Sequence, residues 1–155
     1  MDARCQCGSV EFKTPLDKPL ALYICHCLDC RRQTSSAFGA SAIFPVFELP
    51  RSELLSCYSY FCRNCGTRLF HTTPARNVVS IKAGCIEGLD WNKAIHIWTK
   101  NAMVPIPEGA ETHAQEAGYL SYGSSMSDLD QPGPLAGSGH CHSSEFSSSS
   151  GSATG

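Results

Sequence analysis

In the stretch "NVVSIKAG", Val79, Ile81 and Ala83 alternate with Ser80 and Lys82. A period of two marks a strand with one face buried. The segments "SVEFK", "LALYI", "FGASAIF", "TRLFHT" and "AIHIW" share this character. Each is short, rich in β-branched or aromatic residues, and bounded by Gly, Pro, Asn or Asp. No segment before Pro107 sustains a helical period, although a short turn of helix is expected after Cys30, through "RRQTSS". The pattern predicts a small, mainly β domain with few short helices, whose modest core needs reinforcement.

The pattern fades beyond Gly109. Ser and Gly dominate there, and large apolar residues are too sparse to offset the entropy of ordering the backbone. Residues 1–110 are therefore read as the folded domain and 111–155 as a Ser/Gly-rich disordered tail, with a short helix expected around residues 112–117.

Charge and length narrow the classes. The 155 residues suit one domain, and the formal net charge is −2. With no basic excess to neutralise phosphates, nucleic acid is not an expected partner. The apolar runs are too short to span a membrane. The opening "MDARCQCGSV" has an early acid and no apolar stretch, so it does not resemble a secretory signal. A cytoplasmic location is expected, with a nuclear one compatible, and thiols stay reduced in both.

That compartment changes the meaning of the 10 cysteines. In a reducing environment, closely spaced cysteines suit a metal better than a secreted disulfide scaffold. A Cys-x-x-Cys redox centre would want a βαβ context, which the pattern lacks. Seven cysteines fall into three groups: Cys5 and Cys7; Cys25, Cys27 and Cys30; Cys62 and Cys65. Zinc takes four ligands in a tetrahedron and favours thiolate in structural sites. Gly8 follows Cys7 and Gly66 follows Cys65. A glycine there allows positive φ and turns amides toward the sulfurs. The first and third groups thus read as halves of one closed, four-thiolate site. The middle group has no such glycine and no evident fourth partner. Three protein ligands plus an open position is the pattern of a catalytic zinc.

Candidates for a fourth ligand are weaker. Cys57 and Cys85 read as small buried hydrophobes. His26, between two ligands, is expected to point away from the metal. His71 and His96 read as half-buried packing residues, and "HCH" at 140–142 as tail. Arg31 follows the last thiolate of the trio, where a guanidinium would offset its charge or bind a carboxylate. Arg32 reads as a solvated charge, and residues 34–36 as the cap of a turn.

"CQCGSVEF", "CHCLDCRRQTSSAFGASAIFP", "FCRNCGTRLF", "VSIKAGCIEG" and "AIHIWTK", taken together, resemble the glutathione-dependent formaldehyde-activating enzyme / centromere protein V (GFA domain) family. The resemblance runs from about Cys5 to Pro107. It implies a zinc-stabilised, stacked-sheet, zinc-ribbon-related fold with two zinc ions. Carried over by position, Cys5, Cys7, Cys62 and Cys65 would hold the structural ion. Cys25, Cys27 and Cys30 would hold the second, with an open coordination position. The implied chemistry is that of a carbon–sulfur lyase, joining formaldehyde to glutathione as S-hydroxymethylglutathione. Glutathione or another small thiol is the implied partner. Two departures stand out: Ser35 replaces an expected glycine, and the interval between Phe44 and Phe61 is several residues short, truncating the wall beside the open zinc. If that removes activity, the alternative is a non-catalytic zinc-binding interaction module.

Overall fold

The computed structural model describes residues 1–56, 60–72 and 77–117. Six strands form the main sheet: β3 (Ala21–Cys25), β4 (Gly39–Pro45), β7 (Phe70–Thr72), β8 (Val78–Lys82), β9 (Ile95–Ile97) and β10 (Thr112–His113). Their spatial order is β10-β9-β3-β4-β8-β7. β9 runs parallel to β3 and to β10, and the remaining pairs are antiparallel. Two antiparallel ribbons accompany the sheet, β1 (Asp2–Arg4) with β2 (Glu11–Lys13), and β5 (Leu55–Ser56) with β6 (Phe61–Cys62). The single α-helix among the described residues is α1 (Leu28–Thr34), beside four short 3-10 turns. The mainly β class expected from the alternation is what the chain adopts.

The core lies between the sheet and the ribbons. Leu22, Ala42, Phe44, Phe70, Val79 and Ile81 face inward from the sheet and meet Ala3, Val10, Leu55 and Cys62. The alternation in β8 holds: Val79 and Ile81 are buried, while Ser80 and Lys82 turn to the other face. A bulge interrupts it at β7. The amides of Leu69 and Phe70 both donate to Tyr60 O, at 3.0 and 3.2 Å, so two consecutive apolar side chains are buried. The outer face carries a smaller cluster, Ala21, Tyr23 and Ile43, with Ile95, Ile97 and Ala117 against it.

Three local readings need correction. Residues 112–117 hold no helix: Thr112–His113 is a strand paired in parallel with β9, because the open edge of β9 supplies partners that a short isolated helix lacks. The helix expected after Cys30 begins earlier, at Leu28, because the Cys27 sulfur caps it by accepting the Cys30 amide at 3.4 Å. His71, read as half-buried, is exposed, while His96 is buried at 5%. Cys57, Cys141, His140 and His142 lie outside the described residues. Among the described residues, no helix is long and apolar enough to cross a membrane.

Candidate metal centres

The first centre joins two similar loops. Cys5 N–H donates to Val10 O at 3.0 Å and Gly8 N–H to Cys5 O at 3.2 Å. In the other loop, Cys62 N–H donates to Thr67 O and Gly66 N–H to Cys62 O, each at 2.8 Å. Both turns need positive φ, +75° at Gly8 and +73° at Gly66. The loops bring the sulfurs of Cys5, Cys7, Cys62 and Cys65 within 4.8 Å of one another. Cys5 and Cys7 are 3.5 Å apart, and Cys7 and Cys62 3.9 Å. A tetrahedron of zinc–sulfur bonds has edges of about 3.8 Å, so the donor set fits.

Polar groups surround these sulfurs. Val10 N–H donates to Cys5 at 3.4 Å, and Asn64 Nδ2 to Cys7 at 3.3 Å. Ser9 Oγ lies 3.1 Å from Cys7, and Thr67 Oγ1 3.1 Å from Cys65. The Ser9 hydroxyl and amide, with Asn64, lower the Cys7 thiol to about 7. The Thr67 hydroxyl and amide lower Cys65 to about 5. Thiolate is the form that binds a metal, and these bonds favour it.

The second centre sits where β3 turns into α1. Cys25 ends the strand, Cys27 caps the helix and Cys30 lies in its first turn. Their sulfurs converge within 4.8 Å, and no fourth Cys, His, Asp or Glu donor joins them among the described residues. Gly39 pairs with Cys25 across β4. A Cβ added at Gly39 would stand 3.0 Å from Cys30 Cβ, so the close approach of helix to sheet depends on this glycine. Hydrogen bonding to Cys25 leads in lowering Cys30 to about 6, with Lys82 and Arg68 adding positive charge. Cys25 is pushed up, by the same contact and by burial.

The other candidates divide. His26 is fully buried but turns away from the trio: its Nε2 lies 3.1 Å from His96 Nδ1, and the rings stack at 5.3 Å. Burial lowers both imidazoles, with each other's proximity adding to the effect at His26. Cys85 is half-buried, its Sγ 3.7 Å from Arg68 O, and burial raises it to about 11. Arg31 reaches the Asn101 carbonyl at 3.5 Å, and Arg32 is exposed. All eight cysteines of the described residues are free.

Sequence reasoning missed Lys82 and Arg68. Lys82 appeared only as a polar position in an alternating strand, and Arg68 lies three residues past a ligand of the other centre. The signal available was the outward position of Lys82 on a strand two places from Cys25. Burial and the Arg68 guanidinium lower the Lys82 ammonium.

Comparison with known proteins adds to this geometry. A family model described as "Glutathione-dependent formaldehyde-activating enzyme" matches residues 1–101. A crystal structure of a Rhodobacter sphaeroides protein is similar at 26% identity, covering 58% of this chain and 91% of that one, with a TM-score of 0.46. No curated protein matches the chain significantly.

Proposed function

Because the chain belongs to the glutathione-dependent formaldehyde-activating enzyme family, we propose that it is a zinc-dependent carbon–sulfur lyase or synthase. Its substrate in this reading is the glutathione adduct of formaldehyde or a related aldehyde. One observation carries it: three convergent cysteine sulfurs without a fourth protein donor among the described residues. A set of three leaves room for a guest, whereas the set of four at the other centre closes on its ion.

Cys25, Cys27 and Cys30 would hold the catalytic ion, and Cys5, Cys7, Cys62 and Cys65 the structural one. Zinc, when bound, lowers the pKa of a thiol and polarises a carbonyl. Arg31, directly after Cys30, is assigned the offset of the trio's negative charge. Gly39 keeps helix α1 close to the sheet and so fixes the spacing of Cys30 from Cys25. In the synthetic direction the thiol sulfur bonds to the carbonyl carbon, and the proton released by the thiol ends on the oxygen. No carboxylate or imidazole of the described residues joins the trio, so water carries that proton. In this reading residues 1–110 are the working unit and 111–155 an appendage whose start adds strand β10. A cytoplasmic setting, where glutathione is reduced, suits the chemistry.

The test is exchange spectroscopy by NMR on formaldehyde and glutathione with zinc-loaded protein. Exchange faster than the spontaneous reaction, abolished by Cys27→Ser, is expected. No acceleration by the loaded protein would reject this substrate.

A further inference from the structure

Lys82 lies on the same outer face of the sheet as Cys25, Arg68 stands just ahead of β7 with its charge felt at Cys30, and the reaction described above uses neither. The strand register sets Tyr23, Ser41 and Lys82 in one row, one rank from the Cys25–Gly39 pair. Gly39 has no side chain, so nothing of its own stands between that row and Cys25. Lys82 is half-buried, and its Nζ donates to Ser41 Oγ at 3.3 Å. Arg68 lies beside it: the Lys82 amide donates to Leu69 O at 2.8 Å, next to the bulge that buries Leu69 and Phe70. Arg68 Nε is buried and has no hydrogen-bond partner among the described residues. Neither cation forms an ion pair with a carboxylate of the described residues.

Two sheltered cations without an acid are costly. Three thiolates on a dication carry a single net negative charge, which the two cations exceed by one even before Arg31 is counted. A carboxylate would restore the balance. The free Nε–H is also one arm of the fork by which a guanidinium grips a carboxylate with two parallel bonds.

We propose that Lys82 and Arg68 form a carboxylate-binding subsite beside the cysteine trio, which selects thiols that carry an acidic group. The inference rests on the reading of the trio as a thiol site, and adds to it the class of thiol admitted. The competing role is offset of the trio's own charge, which would serve metal retention and show no preference among thiols.

Calorimetric titration of the zinc-loaded protein separates these. The probes are 3-mercaptopropionate and its neutral amide, 3-mercaptopropionamide, with zinc content measured on each sample. The wild type is expected to bind the carboxylate probe about tenfold more tightly, the scale of one charge-assisted contact. Lys82→Met and Arg68→Gln should each shrink that preference, leaving affinity for the amide and the zinc content unchanged. Equal binding of both probes by the wild type, which needs no variant, overturns the subsite alone. So does equal weakening of both probes by the variants, or loss of zinc from them. Binding of neither probe by the wild type overturns the thiol site and the subsite with it.

Discussion

Replacing Ser35 with glycine should stabilise the protein. Ser35 ends helix α1 with φ 50° and ψ 39°, in the left-handed region, and its amide donates toward Arg31 and Arg32 carbonyls. An L-residue there carries a cost of about 1–2 kcal/mol that glycine lacks. Glycine gives back about 0.5–1 kcal/mol through the freedom of the unfolded chain. The side chain is exposed, so little packing is lost. The net expectation for Ser35→Gly is a gain of about 0.5–1 kcal/mol, or about 2–6 °C in melting temperature for a domain of this size. Gly66→Ala provides the mirror experiment. Gly66 has φ +73°, and an added Cβ would meet nothing within 4 Å, so strain acts there without a clash. It should destabilise by about 0.5–1 kcal/mol. Scanning calorimetry of both variants at equal zinc content measures the two shifts. A fall in melting temperature for Ser35→Gly would refute the left-handed cap and the account of how α1 ends behind Cys30.

Phe44→Ala, at a fully buried position, should cost about 3–5 kcal/mol in denaturant unfolding; a cost under about 1 kcal/mol would mean that Phe44 is not in the core. Ending the chain after Ala117 should leave the melting temperature unchanged, whereas ending it after Ala110 removes β10 and should lower it; equal values would show that β10 adds nothing to the sheet. Cys62→Ser should unfold the domain by circular dichroism while Cys27→Ser leaves the spectrum intact, because a structural zinc contributes about 10–16 kcal/mol, comparable to or above the net stability of a domain. A folded Cys62→Ser protein would contradict that role.

Much of this architecture was legible because its signals are local. The alternation in β8 needs only neighbouring residues, and Gly8 and Gly66 announce their turns by following the second cysteine of each loop. Elements set by tertiary partners were not legible. β1 has a single inward residue, Ala3, and is held by β2 and by a bridge to Ile86. β10 exists because β9 offers a free edge. The start of α1 depends on a sulfur acting as a helix cap, a role usually filled by Ser, Thr, Asp or Asn. At the site, the trio was visible from spacing alone. Lys82 and Arg68 were not, because strand register and a bulge, both long-range features, bring them to its side.

Zinc K-edge absorption on the purified protein, together with the metal count per chain, tests the central claim most directly. Two zinc ions are expected, one at the four-cysteine centre and one at the trio. The averaged environment should fall between three and four sulfurs per ion, with a light-atom contribution from the guest position at the trio. A single ion per chain, or two ions each enclosed by four sulfurs, would contradict the account.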